Sequence, residues 1–145
     1  MRLDHQSAFT LIELIAVLVI VGILATTVLI RITPGDADLQ TAKNDVLAGL
    51  IFARETAMAR SDGASTVTFV VTSTTGTTID VQVNGVSINN LNQSYPLILP
   101  GDVEITDSEQ PLLFTNLGET TEQIITLEES DTSLVINVSG VGYAY

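Results

Sequence analysis

Carboxylates are the most numerous ionisable side chains in this sequence, and four of them lie close together. Asp102, Glu104, Asp107 and Glu109 all fall between positions 102 and 109. On a β-strand, Asp102 and Glu104 project from the same face, and Ca²⁺ prefers several carboxylate and carbonyl oxygens. The four acids are therefore candidate calcium ligands. Because the spacing of an EF-hand loop is absent, a solvated acidic face is the alternative interpretation.

Other kinds of catalytic and metal-binding chemistry find little support in the sequence. Cysteine is absent, which excludes disulfides and thiolate metal sites. His5 is the only histidine and lies in the polar leader MRLDHQSA, so a Ser-His-Asp triad is excluded from the rest of the chain. No glycine-rich phosphate-binding loop is present. We predict that the chain is not an enzyme and that, the calcium candidate apart, it binds no cofactor.

The net charge of −12 is concentrated in the C-terminal part of the 145-residue chain. All five Lys and Arg residues lie in the first 60 positions together with six acids, whereas residues 61–145 hold eleven acids and neither Lys nor Arg. Nucleic acids and anionic lipids bind to clusters of Lys and Arg. We therefore predict that the chain has no nucleic-acid partner.

Residues 9–30 form an apolar run of 22 residues with one charged side chain, Glu13. As a helix this run would measure about 33 Å, enough to cross a hydrocarbon core of about 30 Å. Three interpretations fit: a secretory signal cut near Ala25, a plain membrane anchor, or an anchor whose carboxylate has a function. The apolar core of a secretory signal is shorter, about 7–15 residues. A carboxylate inside a membrane indicates a functional site with a partner.

Residues 8–14, AFTLIEL, resemble the class III signal of type IV pilins and type II secretion pseudopilins. In that family a short polar leader precedes Phe-Thr-Leu-Ile-Glu and a long apolar helix. The resemblance implies a leader at residues 1–8, cleavage by prepilin peptidase between Ala8 and Phe9, N-methylation of Phe9, and a transmembrane and assembly helix at residues 9–33. Two departures are Ala8, where Gly is usual, and Ile30 at a mid-helix position where the family has Pro.

Glu13 gains a physical role if the chain is cut before Phe9. Glu13 then lies one helical turn from a cationic N-terminus, and in a staggered array it can meet the Phe9 amine of a neighbouring subunit. An unpaired charge in lipid costs at least about 2.5–3.5 kcal/mol, so pairing would favour docking in the correct register. We predict Glu13 to be the assembly residue.

A second helix is predicted at residues 36–61, after a kink or break near Pro34. Asp36 or Asp38 is the expected N-cap, and Gly63 is the expected stop. Apolar residues recur at steps of three or four and form one stripe. The stripe consists of Leu39, Ala42, Val46, Leu50, Ala53 and Ala57.

The remaining residues, 64–145, have the alternating pattern of short strands. Asn84-Gly85 between apolar residues is the strongest short hairpin signal, and EESD at residues 128–131 is a second turn between two alternating segments. About seven strands are expected, in an antiparallel sheet or small sandwich. The predicted fold is α+β, with a long N-terminal hydrophobic helix and a β-rich globular head, as in the pilins.

We predict a structural minor pilin or pseudopilin. Ala53-Arg54-Glu55-Thr56-Ala57 and Arg60 are similar to a helix end in minor subunits of the GspH and FimT type, and Gly142-Tyr143 is similar to the chain end of mannose-sensitive haemagglutinin minor pilins. The resemblance implies an inner-membrane location with the head in the periplasm, followed by a pilus or a type II secretion pseudopilus. Its implied partners are other pilin subunits, prepilin peptidase and methyltransferase, and the assembly machinery. The alternatives are a pilus-borne adhesin, a calcium-binding subunit, and a conventionally secreted β domain.

Overall fold

The computed structural model describes residues 10–29, 34–60, 64–72, 76–90, 93–107 and 111–145, and the side chains of most of them. Contacts within the chain divide it into two compact units, Met1–Thr33 and Pro34–Tyr145. The first unit holds helix α1 (Leu11–Leu29). Phe9, residues 30–33 and therefore the predicted kink or break lie outside the described residues.

The second unit, called the head below, begins with helix α2 (Pro34–Ala59). The helix starts two residues before the predicted boundary. The expectation that Asp36 or Asp38 caps it is wrong, because both lie inside the helix. Proline at the first helical position has the required φ and lacks only an N–H that the helix would leave unbonded there. Asp36 instead lies in the first turn, where a carboxylate suits the helix dipole. The predicted stop, Gly63, lies outside the described residues.

The predicted apolar stripe of α2 is confirmed. Its six side chains are all at most 3% exposed and belong to the core of the head. Three of the six stripe residues are alanines, whose small side chains let the helix approach the sheets closely. At Gly49 the approach is closest, since an added Cβ would lie 3.0 Å from the Phe69 ring. Helix α2 packs against strands of both larger sheets described below.

The described part of the head contains ten strands, three more than the sequence pattern predicted, since several are only two residues long. They are β1 (Val67–Val71), β2 (Thr78–Val83), β3 (Val86–Ser87), β4 (Asn89–Asn90), β5 (Gln93–Ser94), β6 (Leu97–Ile98), β7 (Glu104–Asp107), β8 (Leu112–Phe114), β9 (Gln123–Glu129) and β10 (Thr132–Val138). Every pairing among them is antiparallel. The predicted α+β fold is therefore confirmed.

The strands form three separate sheets. The largest has the order β3-β2-β1-β8, with β6 also paired to β2; the second has the order β10-β9-β7; and β4 pairs with β5. One backbone hydrogen bond links the two larger sheets through a loop, from Ile105 N–H to the carbonyl oxygen of Gly76 at 3.0 Å. Helix α2 and this loop together connect the halves of the head.

Both predicted hairpins are present. Asn84 and Gly85 have φ angles of 53° and 78°, which are typical of the type I′ turn that matches the twist of two antiparallel strands. The second hairpin joins β9 to β10 through Ser130 and Asp131, with Glu129 paired to Thr132. The turn is thus shorter than the EESD segment predicted for it.

The C-terminus extends the second sheet by one further pairing. The Tyr145 N–H donates to the Asn137 carbonyl oxygen and the Asn137 N–H donates to that of Tyr145, each at 3.0 Å, while Ala144 bridges to Val138. The last residues therefore cover the outer edge of β10.

Candidate functional site

The N-terminal signal is described from Thr10 onward, and Ala8 and Phe9 lie outside the described residues. Thr10 immediately precedes α1. The Glu13 N–H donates to the Thr10 carbonyl oxygen at 3.1 Å and lies 3.3 Å from Thr10 Oγ1. A threonine at the N-cap with glutamate three residues later is the arrangement of a capping box. Thr10 therefore caps the start of the helix through the Glu13 N–H, and the role of the Glu13 carboxylate in assembly stays a prediction.

The side chains of α1 are exposed on every face of the helix in the isolated chain. Residues 10–25 are all exposed, with Leu11 and Ile12 at 75% and 76% and even Ile15 at 51%. Helices that are apolar all round are normally surrounded by lipid or by other apolar helices. Among the described residues, no helix satisfies both the length and the apolarity required to cross a membrane.

The predicted calcium ligands are only partly described. Asp102 and Glu104 are exposed, and Glu104 lies opposite Glu128 on the neighbouring strand, which places two like charges face to face. The side chain of Asp107, and all of Glu109, lie outside the described residues. Within the described parts of the chain, no group of three or more His, Cys, Asp or Glu side chains is arranged to hold a metal ion. Calcium binding stays a prediction.

Asp80 is a buried carboxylate in the middle of β2, with 2% of its side chain exposed. Its Oδ2 accepts hydrogen bonds from Gln82 Nε2 and Ser87 Oγ, both at 2.7 Å. Oδ1 is buried and has no partner in the described part of the chain. Since Gln82 and Ser87 lie on opposite sides of the Asn84-Gly85 turn, the carboxylate links the two strands of this hairpin.

Ser87→Ala is expected to destabilise the head because it removes one of the two donors to a buried carboxylate. A hydrogen bond to a charged group contributes about 1.5–3 kcal/mol, and the free energy of unfolding should fall by about this amount. Chemical denaturation of residues 34–145 measures it. Ser133→Ala, at an exposed position of β10, is the matched control and should change stability by less than about 0.5 kcal/mol. Equal effects of the two changes would contradict the structural role given to Asp80.

Tyr95 lies in the core beside two carboxylates. It is 6% exposed, and its ring stacks on Phe52 with centroids 5.7 Å apart. Burial raises the pKa of the Tyr95 hydroxyl, and the negative charges of Asp45 and Asp80 raise this pKa further. Burial likewise raises the pKa of Asp45. Burial and the two nearby carboxylates therefore keep the Tyr95 hydroxyl neutral, so it is not activated as a nucleophile.

Arg54 joins α2 to the C-terminal loop. Its guanidinium carbon lies 4.2 Å from the centre of the Tyr143 ring, a distance typical of a cation–π contact. Two glycines make room for the side chain: a Cβ added to Gly118 or Gly142 would lie 3.0–3.1 Å from Arg54 atoms. The Gly142-Tyr143 pair noted in the sequence therefore has a defined packing role.

The sequence pattern did not reveal the positions of Asp80 and Tyr95. Asp80 alternates with Ile79 and Val81, a pattern that is typical of a strand position facing solvent. Its burial depends on Ser87 and on the segment that follows, and no periodicity encodes that contact. Arg54 and Tyr143 are 89 positions apart, and only their separate matches to pilin segments singled them out.

Comparison with known proteins agrees with these features. The prokaryotic N-terminal methylation motif matches residues 3–29. The fold is similar to that of the type IV minor pilin FimU of Pseudomonas aeruginosa, with 17% identity and a TM-score of 0.53 over 76% of this chain and 88% of FimU. A second crystal form of FimU gives 18% identity and a TM-score of 0.48 over 74% of this chain and 90% of that one. No curated protein matches the sequence.

The fold and the N-terminal motif define a class of protein: a chain with a pilin-like α+β head that follows a methylation signal. The fold is accordingly similar to that of a type IV minor pilin, and the resemblance of residues 8–14 to a prepilin methylation signal is confirmed.

Proposed function

We propose that the chain is a structural minor subunit of a type IV pilus-like fibre. The observation that carries this proposal is the methylation motif at residues 3–29, which includes the whole of α1, a helix whose described side chains, to residue 25, are nearly all apolar and are exposed on every side. A helix of that kind needs either lipid or neighbouring helices around it. Membrane insertion followed by transfer into a fibre would provide both in turn.

The N-terminal residues would act in sequence. Prepilin peptidase would cut between Ala8 and Phe9 on the cytoplasmic side of the inner membrane, and Phe9 would then be N-methylated. The subunit would remain a single-pass protein with its head in the periplasm. Assembly would place Glu13 beside the Phe9 amine of a neighbouring subunit. The positive charge of this amine would pair with the carboxylate and remove the cost of an unpaired charge as the helix leaves the lipid.

A pilus is favoured over a type II secretion pseudopilus because the solved structure that supports the fold is a pilus subunit, FimU. The head would contribute packing and no catalysis. Its described residues form a core of α2 and two sheets, and the buried Asp80 carboxylate there accepts hydrogen bonds that link two strands. Its lack of Lys and Arg after Arg60 argues against binding nucleic acid.

Mass spectrometry of the mature N-terminus tests this function. The expected first residue is Phe9 carrying one N-methyl group, and cells without prepilin peptidase should accumulate the full-length chain as a control. A mature chain beginning near Thr26 would indicate a conventional signal peptidase and a secreted β domain. A chain that keeps Met1 in cells with active peptidase would also contradict the proposal.

A further inference from the structure

Arg54 is a partly buried cation that no acid of the described head neutralises. Residues 34–145 contain fifteen Asp and Glu residues but only three Lys and Arg residues. Arg54 nevertheless has no hydrogen bond or ion pair within the described part of the chain, and its Nε is buried without an acceptor. The Tyr143 ring is its one charge-stabilising contact there. In so anionic a head, an unpaired arginine leaves a guanidinium available for a carboxylate from elsewhere.

Exposed apolar side chains lie near this arginine: Tyr143 contacts it, Met58 shares Gly118 with it as a neighbour, and Leu117 and Val141 directly precede Gly118 and Gly142, the two glycines packed against it. Met58, Leu117, Val141 and Tyr143 are 40%, 70%, 56% and 60% exposed. They are held together by the loop contacts at Arg54, since a Cβ on Gly118 would touch both Arg54 and Met58, and the backbones of Gly118 and Gly142 are in direct contact. We call Arg54 and these four residues the Arg54 patch.

The composition of the patch is that of a protein interface. Arginine and aromatic residues carry much of the binding energy at interfaces, where apolar neighbours exclude water from them. A guanidinium on an aromatic face presents its remaining N–H donors in a fixed plane that suits a carboxylate. The occupant that complements the patch is therefore a carboxylate flanked by apolar side chains.

The patch lies well away from the start of α2. Arg54 lies 20 residues along α2 from Pro34, or about 30 Å at the helical rise, so the patch is far from the point where the chain enters the head. We propose that the Arg54 patch is the docking surface for the head of a neighbouring fibre subunit, which places an apolar-flanked carboxylate on Arg54. This inference rests on the proposed function, because only a fibre brings such heads together.

Substitutions in the full-length chain test the docking surface by fibre incorporation. Arg54→Gln keeps the side-chain length but removes the charge, and Leu117→Gln makes an exposed apolar position polar. Each should lower the ratio of chain in sheared fibres to chain in membranes about tenfold, the effect of losing about one strong contact. Arg60→Gln is the matched control, because Arg60 is exposed and directly follows the end of α2. This change should have no effect on incorporation.

Melting of residues 34–145 separates docking from folding, because this unit contains the whole described core. Leu117→Gln should melt as the parent does. If Arg54→Gln and Leu117→Gln are both incorporated normally while Glu13→Gln is excluded from fibres, the patch is not a docking surface. The proposed function would still stand. Absence of processing at Phe9 would overturn the proposed function itself.

A cross-linking experiment identifies the carboxylate directly. Arg54→Lys keeps the charge and introduces a primary amine, which carbodiimide joins to a carboxylate only in direct contact. Fibres carrying this variant should give an amide link from position 54 to an acidic residue of another subunit, seen by mass spectrometry after digestion. Links confined to acids of the same head, or no link from position 54, would show that Arg54 serves only to hold the C-terminal loop.

Discussion

Glu13→Gln and Glu13→Ala are both expected to leave cleavage before Phe9 intact and to lower incorporation into fibres at least about tenfold. The unpaired carboxylate costs about 2.5–3.5 kcal/mol or more in lipid, and about 1.4 kcal/mol corresponds to a tenfold change in an equilibrium. Either change removes the charge whose pairing with a neighbouring amine would favour assembly. Western blotting of sheared fibres and of membranes measures the ratio, and the size of the mature chain reports processing.

The hydrogen bonds around Thr10 make the comparison between the two variants informative. Glutamine keeps the capping-box residue type at this position, whereas alanine does not. If Glu13 acts only by capping the helix, Glu13→Gln should assemble normally while Glu13→Ala and Thr10→Val should both be impaired. If charge pairing dominates, Glu13→Gln should be as defective as Glu13→Ala and Thr10→Val should assemble well. Normal assembly of Glu13→Ala would contradict both roles.

Gly142→Ala is expected to destabilise the head strongly. Gly142 has φ of 77°, and an added Cβ would lie almost on top of the Gly118 carbonyl oxygen, far inside van der Waals contact. Strained backbone costs about 1–3 kcal/mol, and overpacking against a neighbour costs a further 1–3 kcal/mol or so. Since domains are stable by only about 5–15 kcal/mol, chemical denaturation of residues 34–145 should show a substantial loss.

Gly85→Ala provides a matched control for this prediction. Gly85 has nearly the same backbone conformation, with φ of 78°, but an added Cβ there meets nothing within 4 Å. It should therefore show only the conformational cost. Comparable losses at the two positions would mean that the contact between Gly142 and Gly118 contributes little to stability.

Local patterns predicted the elements of the head well. The stripe on α2 was visible because its residues recur with the helical period, and all six are buried as expected. Asn84-Gly85 identified a hairpin because few residue pairs accept two positive φ angles. The pilin-like resemblance of residues 8–14 came from a short, specific motif and needed no tertiary information.

Features that depend on distant contacts were not predictable in this way. The division of most strands between two larger sheets follows from pairings such as β1 with β8, whose strands are about 40 residues apart in sequence. Pro34 was expected to kink or break the helix. It instead begins α2, because the first position of a helix tolerates proline. The burial of Asp80 and the gathering of the Arg54 patch both require the folded head.

The pairing of Tyr145 with Asn137 has a practical consequence for labelling this protein. Tyr145 is a member of the sheet, so a tag or fluorescent protein fused directly after it would start at the hydrogen-bonded edge, two residues from the Tyr143 ring that covers Arg54. Removal of the last few residues would uncover a strand edge, which favours aggregation. Gly85 and Val86 are exposed, and an added Cβ on Gly85 meets nothing within 4 Å, so the position between them is the better insertion point for an epitope.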